Sequence, residues 1–428
     1  MATISHAMRL IAIACCNLAV MAVLAFAETV HWVGPAGQLG LWSDPANWSP
    51  NLPTANSNVL FDLAAPGQPA LVDLSGPNQA FAGTLTVLGG GVEFSGPGAL
   101  NVSSMVSIGG VNLSPEFIIR SQATVNALGG LNALSGETQV GFANTAGTLN
   151  VSGNLVIGDI DQNTSASFRV GGGSSVNAEF GVIESGDATI EASGMLAANQ
   201  ELKISTNGVL RGNGIVAGDV ENSGLISPGE SIGELTVDGD FVQLDDGELV
   251  IELQGNLSDR LIVSDTATFG GTLRLVLIDS PIIGQRFEVI VTGGEKIGEF
   301  DEVVLPVTPP IAFSLTRDLF AVSSLMGDMD DNGIIDSRDI DDFVVALINP
   351  GLYMMMIGHD EFNSTRGDFA DPEGQVDLRD VAGFEQALRD AGVSASVAAL
   401  FGIPEPPSRM LAIVGLCGWF AFARSGRR

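Results

Sequence analysis

One hexapeptide pattern occurs twice with the same continuation. Gly98-Ala99-Leu100-Asn101-Val102-Ser103 runs on to Val106-Ser107-Ile108-Gly109, and Gly147-Thr148-Leu149-Asn150-Val151-Ser152 runs on to Leu155-Val156-Ile157-Gly158. The offset, 98 to 147, is 49 residues, or two coils of a solenoid whose turn takes roughly 20–25 residues. In such a stack each short strand pairs with its copies above and below. Alternate side chains enter a narrow shared core, and glycine turns the corners. The rest of the region fits this reading. Segments such as Gly83-Thr84-Leu85-Thr86-Val87-Leu88 and Ala123-Thr124-Val125-Asn126-Ala127-Leu128 alternate polar and apolar residues between Gly, Asn and Ser clusters. Glycine supplies 54 of 428 residues, well above the usual ~7%. The expected class is therefore mainly β, with a solenoid or β-helix body. A flat sandwich with Gly-rich turns is the alternative.

Charge removes one class of function. Lys and Arg total 18 against 50 Asp and Glu, for a net charge of −32. No nucleic-acid role is expected, because phosphate contacts need clustered basic residues. Chemistry-bearing motifs are also missing. After residue 27 the only histidines are His31 and His359, in neither a nucleophile elbow nor a zinc motif. Between Glu28 and Gln200 the only basic residues are Arg120 and Arg169, so the Arg or Lys beside a carboxylate cluster that a lyase needs is not visible. A glycosidase pair of acids could still meet in space.

Both ends read as addresses. Residues 1–27 have a secretory pattern: Arg9, an apolar run from Leu10 to Leu24, and Ala25-Phe26-Ala27 as an A-x-A cleavage site before Glu28. At the other end Pro404-Glu405-Pro406 precedes an apolar stretch from Met410 to Ala423, closed by Arg424, Arg427 and Arg428. This order resembles the PEP-CTERM sorting signal of exopolysaccharide-producing Gram-negative bacteria. The resemblance implies an exosortase-type processing enzyme, a transient membrane stay through the C-terminal helix, and delivery to the cell surface or the medium. Cys15, Cys16 and Cys417 all lie in these end segments, so the body from Glu28 to Pro404 is free of disulfides.

The body resembles proteins with autotransporter-associated β-strand repeats. The resemblance rests on Trp32-Val33-Gly34, on Leu41-Trp42-Ser43-Asp44-Pro45-Ala46-Asn47-Trp48-Ser49, and on Gly224-Leu225-Ile226-Ser227-Pro228-Gly229 further along. It implies a passenger-like solenoid. Trp32, Trp42 and Trp48 are expected to cap the end of the core; a carbohydrate-stacking platform is the other use of such a cluster.

Composition changes at Met326. From there to Asp342 stand seven aspartates and one arginine. Asp328, Asp330, Asn332, Gly333, Ile334, Asp336 and Asp339 occupy positions 1, 3, 5, 6, 7, 9 and 12 of an EF-hand-type loop. Calcium takes hard oxygen ligands, with Ile334 contributing its backbone carbonyl and Gly333 allowing the turn. Ile335 is expected to enter a small core. Ile340, Phe343, Val344 and Leu347 give the following segment one apolar helix face, stopped by Asn349-Pro350-Gly351. Asp371, Glu373, Gly374, Asp377 and Asp380 repeat the offsets of the first loop, with Asp368 one residue out of step and Val381, Phe384 and Leu388 as the helix face. The pair resembles dockerin type I repeats over 326–392. That implies Ca2+ as the cofactor and a cohesin-like partner facing Ser337-Arg338 and Leu378-Arg379, which depart from the usual hydroxyl pair.

The expected organisation is a signal peptide at 1–27, a solenoid body at 28–325, a small α-helical calcium module at 326–392, a linker at 393–409 and a sorting helix with a basic tail at 410–428. The function expected is a non-enzymatic surface or matrix scaffold or adhesin. The alternative is a polysaccharide-binding or polysaccharide-degrading β-helix protein.

Overall fold

The computed structural model describes residues 27–35, 37–63, 69–76, 79–141, 145–162, 164–306, 308, 310–316, 318–357, 361–370, 376–394 and 397. The expected signal segment up to residue 26, the PEP triplet and the C-terminal apolar stretch lie outside them, as do Asp371 and Glu373. Two compact units divide the chain, Met1–Ile278 with Glu288–Val304, and Asp279–Phe287 with Leu305–Arg428.

The first unit is a β-solenoid of about nine turns, built from three parallel ladders. On one face Val59, Leu85, Val106, Leu131 and Leu155 are successive Cα partners. On the second, Val72, Phe94, Ile119, Val140, Val170 and Ile190 stack in the same way. On the third the row is Leu100, Val125, Leu149, Val176, Leu196, Val216 and Val237. All of these side chains are buried. Alternation places them inward because successive residues of a strand point to opposite faces. Each fully buried Leu or Val contributes roughly 1.5–3 kcal/mol.

The repeat read from the sequence spans two coils. Leu100 pairs with Val125 and Val125 with Leu149. The structure also reveals copies that differ too much in sequence to stand out. Thr124–Ala127 and Ser175–Ala178 occupy the same place on the third face. Their shared feature is an asparagine. Asn177 donates to Asn150 at 2.8 Å, Asn150 to Asn126 at 2.8 Å, and Asn126 to Asn101 at 2.9 Å. This amide ladder lies on the outward side of the strands and ties four coils together. The glycines ending the two repeats share a role as well. Gly109 and Gly158 sit at φ 80° and 79°. A Cβ there would come within 2.2 Å of Ser135 Oγ and 2.1 Å of the Ser185 carbonyl, respectively, so no other residue fits these corners.

The tryptophans close the first coil. Trp48–Ser49 pairs antiparallel with Thr29–Trp32, whose other edge pairs parallel with Asn58–Asp62. Trp32, Trp42 and Trp48 are 5%, 3% and 4% exposed, which excludes a stacking platform for sugars and fits the cap. Trp48 packs edge-on against both others at 5.0 and 4.6 Å, and its Nε1 donates to the Trp42 carbonyl.

One buried acid holds a loop of the solenoid. Asp259 is fully buried. Its Oδ1 accepts from Gly233 N and its Oδ2 from Glu252 N, both at 2.8 Å. Burial pushes its carboxyl up from 3.8 to about 7, against the pull of the two N–H donors. The neutral form is therefore favoured in the folded chain, and stability falls as pH rises through that window.

In the second unit, Ile311–Thr316 and Phe320–Leu325 form an antiparallel hairpin, and Glu361–Ser364 pairs with its first strand. The acidic loops begin at Met326, but the compact unit that holds them starts earlier and includes this hairpin. Three helices are delimited among the described residues that follow: α1 (Asp339–Ile348), α2 (Pro350–Ile357) and α3 (Val381–Asp390). Asp339, Asp341 and Asp342 crowd the first turn of α1, where the helix dipole favours negative charge. Its buried face is Ile340, Phe343 and Ala346, with Val344 packed beside it. Leu347, expected on that face, is only half-buried.

Two predictions follow from this packing. Leu149→Ala, in mid-ladder, should cost about 2–5 kcal/mol, whereas Asn150→Ala on the outer side should cost about 0.5–1.5 kcal/mol. Denaturant unfolding of the two variants checks the ranking. For Asp259→Asn, the native chain's advantage over the variant should shrink as pH rises from 3.8 to about 7. A gap constant across that range would remove Asp259 as the titrating group.

Candidate functional site

Two places gather polar side chains of possible function. The first is the acidic loop before α1. Asp328 Oδ1 accepts from Asn332 N at 3.0 Å and its Oδ2 from Gly333 N at 2.8 Å. Asp339 reaches back along the loop: Oδ1 accepts from Met329 N and Asp330 N, and Oδ2 from Asp336 N. These bonds wind the chain around one point, and ligand atoms of Asp328, Asp330 and Asp339 all lie within 4.8 Å of one another. Asp331 and Gly333 turn the loop at φ 55° and 86°. Ile335 packs against the small core, as expected.

The electrostatics of this arrangement are unfavourable without a positive partner. Asp328 and Asp339 are 1% and 0% exposed. Burial pushes Asp328 up to about 6, with Asp339 repelling it and Arg366 partly offsetting the effect. Asp339 is raised for the same first reason, burial, with Asp330 adding repulsion. Asn332 and Asp336 remain at the loop, their side-chain oxygens accepting from Ile334 N and Arg338 N. The Ile334 side chain is exposed.

The second loop repeats this wiring. Asp380 Oδ1 accepts from Phe369 N and Ala370 N, and Oδ2 from Asp377 N. Asp377 Oδ1 accepts from Arg379 N, as Asp336 Oδ1 does from Arg338 N. Asp368 is buried like Asp328. Matched from the N-terminal side, Arg366-Gly367-Asp368 corresponds to Met326-Gly327-Asp328, so the extra residue of the second loop falls after Ala370. Position 3 from that side is Ala370, where the first loop has Asp330. Phe343 of α1 and Phe384 of α3 stack face to face, 4.1 Å apart and 3° from parallel. Equivalent residues of the two copies thus meet in one core.

Sequence reasoning missed Arg366. It is fully buried, with Nη2 2.9 Å from Asp331 Oδ1 and Nε donating to Ser324 Oγ. Its match to Met326 in the duplicated tripeptide was the available signal. The only tyrosine, Tyr353 of α2, is also buried and donates to the Met329 carbonyl at 3.1 Å.

The second place is a cleft of about 470 Å³ on the solenoid, bordered by Gln139, Arg169, Gly171, Gly172, Glu191, Asn213 and Glu230. Arg169 Nε lies 3.2 Å from Glu191 Oε1, and its Nη2 hydrogen-bonds to Glu230. Glu230 is 61 residues away. It rides on a loop fixed at both ends. Gly212 and Gly229 exchange backbone hydrogen bonds, and Gly233 N is held by Asp259. Other solenoid cations are also placed beside acids on neighbouring coils: Arg120 with Glu93, Arg211 with Asp187, Arg274 with Glu248, Arg260 with Glu234 and Glu288, and Lys203 with Glu221.

No family model matches the chain, and no curated protein matches it. Among the described residues no helix is long and apolar enough to cross a membrane.

Nothing lies within 4 Å of a Cβ built on Gly333, so Gly333→Ala adds backbone strain without a clash. The substitution should cost about 1–2 kcal/mol, read as a lower unfolding midpoint for the C-terminal unit.

Proposed function

We propose that this chain is an exported, non-enzymatic β-solenoid scaffold or adhesin of the cell surface or extracellular matrix, with a C-terminal unit organised by calcium. The observation that carries the calcium reading is the convergence of Asp328, Asp330 and Asp339 within 4.8 Å on a loop of EF-hand spacing. The donor set fits a hard divalent cation, because it is all oxygen and includes two carboxylates removed from water. Asp328, Asp330, Asn332, Asp336 and Asp339, with the Ile334 carbonyl, would hold the ion in the first loop. Asp368, Asp371, Glu373, Asp377 and Asp380 would serve in the second. The ion would supply charge compensation, and its binding free energy would add to folding free energy.

The repeated wiring around Asp339 and Asp380 and the Phe343–Phe384 stack support a dockerin-like pair. In that reading Ser337-Arg338 and Leu378-Arg379 face a cohesin-like partner, and Leu378 is 64% exposed. Export rests on the A-x-A site. Handling by an exosortase-type enzyme rests on the Pro404-Glu405-Pro406 tail.

Calorimetry of the purified chain tests the calcium reading. Calcium at about a hundredfold its dissociation constant should stabilise the C-terminal unit by about 2.7 kcal/mol. Asp328→Ala or Asp339→Ala should remove most of that gain, and Asp371→Ala less. Superimposable unfolding curves in calcium and in excess chelator would overturn it.

A further inference from the structure

We propose that the cleft between Arg169, Glu191 and Glu230 binds a neutral, polyhydroxylated saccharide unit. This inference concerns the solenoid alone and does not depend on calcium in the other unit.

The cleft has the size of a small-molecule site. Its volume of about 470 Å³ falls within the ~300–1,000 Å³ common to such sites. Its walls come from different coils. Arg169 lies on the strand Ala166–Val170, Glu191 just beyond Ser175–Ile190, Asn213 just beyond Met195–Gly212, and Glu230 on the loop after Leu225–Pro228. The rigid ladder beneath therefore fixes their spacing. The loop carrying Glu230 is clamped by Gly212 at one end and Asp259 at the other.

The lining selects the ligand by elimination. Among the described residues Ala192 is the only one lining the cleft with an apolar side chain, so these residues offer an apolar ligand little. Two carboxylates face one guanidinium, which disfavours an anion such as a uronate. The guanidinium stands between the carboxylates, 3.2 Å from Glu191, and repels a second cation or a metal ion. Uncharged hydroxyl groups, each both donor and acceptor, match what remains. Carboxylate lone pairs and the Asn213 amide can meet them. The Glu191 carboxylate is oriented by a further bond from Gly172 N at 3.2 Å. At the base of the cleft Gln139 is 8% exposed. Its Nε2 is committed to Glu137, which leaves Oε1 buried without a donor.

The test is an array of oligosaccharides probed with the full chain. Neutral probes are oligomers of glucose, mannose, galactose and N-acetylglucosamine; charged probes are oligomers of galacturonate and guluronate. At least one neutral series should bind, and the uronates should not. Glu230→Ala and Ala192→Trp should each weaken binding tenfold or more with the unfolding midpoint unchanged. Both positions are exposed, and the tryptophan adds bulk at the cleft wall beside Glu191. Asp328→Ala should bind like the native chain, which separates this outcome from any failure of the calcium loop. Binding to uronates only, binding to no probe, or full binding by Ala192→Trp would each overturn the proposal.

Discussion

Hydrogen bonding between successive coils is the constraint on which the solenoid depends. A strand of the stack is paired along both edges, and the pairing register decides which side chains face inward. A slip of one residue would turn Leu100, Val125 and Leu149 outward together. The register is therefore held from both sides of the sheet. Inside, the apolar rows exclude water. Outside, the ladder from Asn101 to Asn177 adds one amide bond per coil. In the first described coil, the edge of Thr29–Trp32 away from Asn58–Asp62 is taken by the antiparallel strand Trp48–Ser49. An exposed strand edge would be open to pairing with another chain, and the buried tryptophans close the core behind it.

The same stacking organises charge. Residues about one coil apart in sequence become neighbours, so the few cations can each be set beside acids of the next coil. Most of these pairs are half-exposed and contribute little stability singly, roughly 0–1 kcal/mol. Their larger effect is on register and solubility, because acids stacked in the same column would otherwise repel. Arg169, like Arg260, takes acids from two coils, and its pair borders a cleft.

Much of this was legible in the sequence, for reasons that are local. The 49-residue repeat was visible because glycine corners and the outward asparagine recur at fixed places. Thr124–Ala127 and Ser175–Ala178 belong to the same series, yet corner lengths vary between coils and hide them from a fixed period. The first acidic loop was legible because all its side chains lie within twelve consecutive residues. The second loop is one residue longer. Alignment on Gly374 obscured the match of Arg366-Gly367-Asp368 to Met326-Gly327-Asp328, and with it the buried Arg366. Ala346 rather than Leu347 is buried in the core that α1 shares with Phe384, a choice that a period count does not make. The Arg169 cleft was not legible at all, since its acids lie 22 and 61 residues along the chain and meet only after several coils are stacked.

Carboxylates in this chain thus live under two regimes. In the solenoid, acids such as Asp187 and Glu248 stand partly exposed beside a cation from another coil, whereas Asp259 is buried and shifted toward its neutral form. Near α1 neither remedy is complete. Asp328 and Asp339 are both buried in a loop that also brings Asp330 to them, and Arg366, bonded to Asp331, offsets only part of this. Two carboxylates about 4 Å apart repel by roughly 4 kcal/mol at an effective dielectric near 20. Burial moves Asp328 up to about 6 and Asp339 in the same direction, against the backbone donors that favour the ionised form. A cation held by these oxygens would offset the repulsion. The wiring that crowds these carboxylates is the wiring that would make the loop a receptor for the ion.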